Sequence, residues 1–189
     1  FLTYEIHPPE QEDNDQDQPA AKDVPRRKLM PISSRQEFFV QCHLTERCNL
    51  SCTHCYQTGG RTDELSRGEI RDMLEEISDM LRAWSQAYEL EFSSSLNVTG
   101  GEPFLRKDLF EILGEMGSGG FGVYLLTNGT LIDGDKAAKL AALDVKGVQV
   151  SIEGPEDIHD SIRGKGSFAA ACRGVSHLVD AGLNVTLNA

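Results

Sequence analysis

FFVQCHLTERCNLSCTHCY, Phe38 to Tyr56, is the stretch on which the reading of the whole chain turns. Its first part, FFVQCHLT, is rich in aromatic and β-branched residues and predicts a strand. That strand runs directly into a loop carrying Cys48, Cys52 and Cys55. A zinc knuckle closes its own coordination sphere, usually with a second C-x-x-C or H-x3-H pair. No such pair follows here, so a cluster of three thiols leaves one coordination position to be filled from elsewhere.

Downstream, strand and helix signals alternate. Ser66 with Glu69 three residues on has capping-box spacing, and Ile70, Met73, Leu74, Ile77, Met80, Leu81 and Trp84 recur at helical period. SLNVTGGEP predicts a second strand ending in glycines, followed by an Asp108-capped helix through Leu109, Ile112, Leu113 and Met116. VYLLTNGT is a third strand and Asp133 to Leu143 a third helix. VQVSIEG is a fourth strand, Ser167 to Ala181 a fourth helix, and NVTLNA opens a fifth strand. Repeated β-then-α units predict an α/β fold with a parallel sheet and right-handed crossovers. Cys42, on the first strand, and Cys172, in the fourth helix, read as packed thiols.

Composition narrows the partners. With 30 acidic against 18 basic residues the formal net charge is −12, which disfavours nucleic acid as a partner. No apolar run approaches the ~20 residues of a membrane helix and no signal peptide is visible, so the expected setting is the cytoplasm, without membrane attachment. Five cysteines, three of them in one loop, suit thiolate ligands in a reducing compartment. Residues 1–34, dominated by Glu, Asp, Gln and Pro, read as an acidic, flexible leader preceding a domain over 35–189. The fifth strand coincides with the last residues and the first residue is Phe, so the chain is expected to be part of a longer polypeptide.

In parallel α/β folds, reactive groups gather beyond the carboxyl ends of the strands. The three cysteines, the Gly100-Gly101-Glu102-Pro103 run, Asn128, Ser151 and Glu153 all fall there. Ser151 and Glu153 alternate with Ile152 and so share one face of their strand.

The C-x3-C-x2-C spacing followed by Tyr56 resembles the signature of the radical S-adenosylmethionine (radical SAM) superfamily. TGGEP is similar to that family's glycine-rich motif, LLTNGT to its third strand, and VSIEGPEDIHDSIRGKGSF to the fourth-strand region of its SPASM/twitch-type, peptide- and protein-modifying branch, which includes anaerobic sulfatase maturases. The resemblance spans 38–189. It implies a partial (β/α)6 TIM-like barrel, here reaching only into strand five. It also implies a [4Fe-4S] cluster held by Cys48, Cys52 and Cys55, whose fourth iron receives the amino and carboxylate groups of S-adenosylmethionine. Catalysis then rests on the cluster and cofactor, with no separate catalytic side chain.

Further roles follow from the same resemblance. His54 stands at an aromatic position near the adenine, next to Tyr56; Gly100, Gly101, Glu102 and Pro103 receive the methionyl amino group. Asn128 is a candidate cofactor ligand, and Ser151 and Glu153 are candidate ribose contacts, although relatives commonly carry Asp where Glu153 stands. Arg163 is a candidate for a carboxylate. The implied partners are a peptide or protein substrate and an electron donor such as a flavodoxin or ferredoxin. Two alternatives stay open: the same chemistry on a small molecule, as in haem, quinone or molybdenum-cofactor biosynthesis, and a non-catalytic zinc module completed by His54 or His43.

Overall fold

A computed structural model describes residues 35–57 and 63–188. The acidic leader assigned to residues 1–34 lies outside the described residues. β1 (Arg35–His43), β2 (Glu91–Thr99), β3 (Gly122–Thr127), β4 (Gly147–Ser151) and β5 (Val185–Asn188) form one parallel sheet in the order β1-β2-β3-β4-β5. Strand order that follows chain order, with right-handed crossovers, puts every connecting helix on the same side, as in a barrel wall.

The pleat sorts the side chains accordingly. Cys42, Leu96, Val98, Val123, Leu125, Val148 and Val150 are buried on the outer face in one cluster with Ile70, Leu74, Leu113, Met116, Leu140, Ala171 and Leu178 of the helices. The opposite, concave face carries Gln41, His43, Asn97, Thr99, Gln149 and Ser151, which alternate with the buried set.

The helices are α1 (Arg67–Tyr88), α2 (Leu109–Ser118), α3 (Gly134–Ala142), α4 (Glu156–Arg163) and α5 (Ser167–Asp180). The capping box predicted for α1 is complete: Ser66 Oγ accepts the Glu69 N–H, and the Glu69 carboxylate accepts the Ser66 N–H at 2.8 Å. Asp133 caps α3 through the Lys136 N–H. Asp108 precedes α2 but caps nothing, because its carboxylate is taken up by Arg106 at 2.8 and 2.9 Å.

Two further findings depart from the sequence reading. Between the fourth strand and the helix predicted from Ser167, where the sequence pattern predicts no element, lies α4, a helix of eight residues whose one buried side chain is His159. A helix so short shows no periodic apolar stripe. Cys172 is exposed rather than packed. The buried side of α5 is Ser167, Ala171, Gly174 and Leu178, and Cys172 stands one step round the helix from it. Among the described residues no helix is long and apolar enough to cross a membrane.

Candidate cofactor site at the carboxyl ends of the strands

β1 ends at His43, and the chain turns across the carboxyl ends of β1 and β2. Leu44 N–H donates to Thr99 O at 2.9 Å, Gly101 N–H to Thr45 O at 2.7 Å and Glu102 N–H to Arg47 O at 2.8 Å. These bonds stitch the start of the cysteine loop to the glycine run. The approach is close enough to require glycine: a Cβ on Gly100, whose φ is +142°, would stand 2.3 Å from Thr45 O, and one on Gly101 would stand 2.3 Å from Arg47 O. The glycine pair thus lets two strand-end loops touch, as well as bordering a cavity.

That cavity has a volume of about 320 Å³. Cys48, Cys52 and Cys55 edge it together with His54, Tyr56, Gly100, Gly101, Asn128, Ser151 and Arg163. Thirteen side chains were singled out in the sequence, and ten of them meet here. Glu102, Pro103 and Glu153 do not border the cavity.

Glu102 is completely buried. Its carboxylate accepts from Thr127 Oγ1 at 2.9 and 3.0 Å, from the Asn128 N–H at 2.9 Å and from the Phe104 N–H at 3.2 Å. Burial pushes its pKa up, against the pull of these donors. Both carboxylate oxygens thus tie the loop after β2 to the end of β3. Pro103, also buried, opens a short 3-10 turn over Pro103–Leu105 behind the glycines.

Glu153 is held behind the cavity wall. Its Oε1 accepts from Arg163 at 2.5 and 2.7 Å and lies 3.6 Å from His54 Nε2. The ion pair joins the end of α4 to a residue just after β4, and the contact with His54 extends that link to the cysteine loop. A backbone bond from Thr53 N–H to Ile162 O, 2.9 Å, makes the same link.

The thiols are not equivalent. Leu50 N–H points at Cys48 Sγ at 3.4 Å, and the Asn128 amide reaches the same sulfur at 3.9 Å while donating to Asn49 Oδ1 at 2.9 Å. Burial pushes the Cys52 thiol up, Arg163 draws it down, and Cys48 and Cys55 add to the rise. Among the described residues no three His, Cys, Asp or Glu side chains converge tightly enough for a single metal ion.

Several contributors escaped the sequence reading. Gln41, Gln149 and Asn188 also border the cavity from the concave face. For Gln149 the signal was present, since it stands two residues before Ser151 on the same face. Arg106 gave none: it is buried, and its Nη1 donates to Leu44 O and Leu65 O, both at 3.0 Å, so one guanidinium clamps both ends of the segment bearing the cysteines.

A singly wound parallel sheet with three thiols at the mouth of its first strand, facing a glycine pair on its second, is the architecture of a partial β/α barrel with its candidate site at the carboxyl ends of the strands. Residues 43–189 match the family model of the radical SAM superfamily, and the chain belongs to that superfamily. It is 38% identical over 142 residues to the mycofactocin maturase MftC of Mycolicibacterium smegmatis, covering 74% of this chain and 33% of that protein. It is 33% identical over 163 residues to an Fe-coproporphyrin III synthase of Methanosarcina barkeri, covering 84% of this chain and 38% of the synthase. The chain thus spans little more than a third of the curated relatives it matches. Its fold is shared with anSMEcpe, solved with bound AdoMet, at a TM-score of 0.65 and 24% identity over 80% of this chain and 43% of that one.

The superfamily uses a [4Fe-4S] cluster and S-adenosylmethionine, and this cavity fits them. Its donor set for iron is three soft thiols without a fourth, and Gly100, Gly101, Asn128, Ser151 and Arg163 border the same space with groups suited to a zwitterionic nucleoside.

Proposed function

We propose that the protein is a radical SAM enzyme acting on a peptide or protein, a maturase, with residues 35–189 forming the N-terminal part of its catalytic domain. The observation that carries this reading is the convergence of Cys48, Cys52 and Cys55 with Gly100, Gly101, Ser151 and Arg163 on one cavity. Cys48, Cys52 and Cys55 would hold three irons of the cluster, leaving the fourth for the cofactor. When bound, the pair supplies an electron to the sulfonium and a radical that takes hydrogen from substrate. The chain's own residues do the rest: Arg163 faces a carboxylate, Ser151 and Asn128 face hydroxyls, and His54 and Tyr56 flank the opening.

The peptide branch is favoured by VSIEGPEDIHDSIRGKGSF, whose His159 and Asp160 build the β4–α4–α5 corner, and by the likeness to MftC. The likeness to the Fe-coproporphyrin III synthase supports a second reading, the same chemistry on a small molecule. The electron would come from a partner such as a flavodoxin or ferredoxin, in the cytoplasm.

Anaerobic reconstitution tests the assignment. The protein should turn brown with about four irons in this cluster and convert S-adenosylmethionine to methionine and 5'-deoxyadenosine under a strong reductant. Cys48→Ala, Cys52→Ala and Cys55→Ala should each abolish both properties. Full cleavage by any one of them would overturn the assignment, and a colourless zinc protein would replace it with the non-catalytic alternative.

A further inference from the structure

A second cavity, of about 400 Å³, lies on the concave face of the sheet and is lined by Glu37, Phe39, Ser95, Asn97 and Tyr124. It sits directly below the cofactor cavity. Gln41, Thr99 and Leu126 border the upper cavity, and each stands two residues beyond Phe39, Asn97 or Tyr124 on its own strand. Two residues of strand rise about 7 Å, so the lower cavity continues the upper one down the same pleated wall. Strand register puts Phe39 beside Ser95 and, one step nearer the upper cavity, Asn97 and Tyr124 level with Gln41.

Its chemistry differs from that of the cavity above. Glu37 has no ion pair or hydrogen bond among the described residues, on a chain whose formal net charge is −12. Phe39 is 59% exposed and Tyr124 42% exposed, so two aromatic rings stand open on a face that otherwise carries mostly polar side chains. Gly147 of β4 leaves the room that the Tyr124 ring occupies, since a Cβ there would stand 3.2 Å from the ring. A carboxylate and two exposed aromatic rings lining one cavity suit an organic cation, which is attracted by either kind of group.

We propose that this lower cavity is a recognition subsite for a cationic group of the substrate, a lysine or arginine side chain in a peptide, seated below the position where hydrogen is taken. The assignment of the upper cavity as the reacting site rests on the function proposed above; the affinity of the lower cavity for a cation does not.

Binding therefore needs neither cluster nor S-adenosylmethionine and is measured by NMR on the protein with N-acetyl-lysine methylamide as probe. N-acetyl-norleucine methylamide, of similar length without the charge, and ammonium chloride serve as controls. The lysine probe should give saturable shifts centred on Asn97 and Tyr124. Glu37→Gln, on an exposed position, should weaken it about tenfold while leaving the spectrum otherwise folded. Tyr124→Phe should retain binding, since the ring face remains. Equal shifts from norleucine or from ammonium, an unchanged affinity in Glu37→Gln, or no saturable shift at all would each overturn the subsite. Because iron loading and cofactor cleavage are read separately, failure here with an intact cluster rejects the subsite alone.

Discussion

Glu102, at the end of β2, accepts the backbone N–H of Asn128, at the end of β3, at 2.9 Å from a position without exposed surface. With Thr127 Oγ1 and the Phe104 N–H also donating to it, the carboxylate is a three-way rivet under the cofactor cavity. Glu102→Gln must turn an NH2 group toward either the Phe104 or the Asn128 N–H, setting donor against donor. Glu102→Ala leaves all three donors buried without a partner. We expect both variants to lose about 2–4 kcal/mol of stability, read by urea unfolding, and the Gln variant to show no rescue of the Ala one. Wild-type stability in Glu102→Gln would show that the carboxylate is not the rivet.

Gly101 tests the contact between the two strand-end loops by steric means alone. Its added Cβ would meet Arg47 O at 2.3 Å, Arg47 C at 2.6 Å and Glu46 O at 2.7 Å, all of them backbone. No rotamer relieves such a collision, so Gly101→Ala has to push the cysteine loop away from β2. The expected cost is about 2–3 kcal/mol, together with reduced iron content after reconstitution although no thiol has been altered. Full iron loading in this variant would show that the cluster loop tolerates displacement from the glycines.

These two residues also mark where sequence reading succeeds and where it stops. Cysteines and glycines announce themselves because few other residues can do what they do at that spacing, and strands and helices are announced by period. The direction in which a carboxylate points is set by donors distant along the chain. Glu102 follows the glycine pair at once in sequence, but its partners Thr127 and Asn128 are 25 and 26 residues away, so its inward orientation has no local signature. Arg106 likewise bonds Leu44 and Leu65 at separations of 62 and 41 residues. α4 was missed because eight residues with one buried side chain carry no measurable period.

His159 supplies a prediction in pH. It is fully buried; Nδ1 accepts the Glu153 N–H at 3.2 Å, its ring stands edge-on to Phe168, and Nε2 has no partner among the described residues. Burial, assisted by Arg163, holds its pKa below the ordinary 6.5, with Asp160 and Glu153 acting in the opposite sense. A depressed folded pKa means that the unfolded chain binds the proton more readily. The contribution of neutral His159 is therefore fully present above about pH 6.5 and declines as pH falls through the folded value. The urea midpoint should drop between pH 7 and pH 5.5, and His159→Gln, whose side-chain oxygen can still accept the Glu153 N–H, should flatten that drop. Parallel wild-type and variant curves would assign the pH dependence to other groups.

The last prediction concerns the tie between α4 and the cysteine loop. Arg163 and Glu153 form an ion pair at 2.5 Å with side chains only 13% and 15% exposed, and the Glu153 oxygen that holds Arg163 also faces His54 between two of the thiols. Removing either partner strands the other charge in a poorly solvated place, so Arg163→Ala and Glu153→Ala should each destabilise the protein by about 2–3 kcal/mol. The double variant strands neither, and its loss should fall short of the sum by about 2 kcal/mol of coupling. Iron content should survive in all three, because the Thr53 to Ile162 backbone bond still anchors the loop to α4 and no thiol has been touched. Urea unfolding of the four proteins, paired with iron analysis after reconstitution, separates the two effects. Strictly additive losses would reduce the pair to two independent side chains, and loss of iron in Glu153→Ala would make this carboxylate, rather than the backbone bond, the anchor of the cysteine loop.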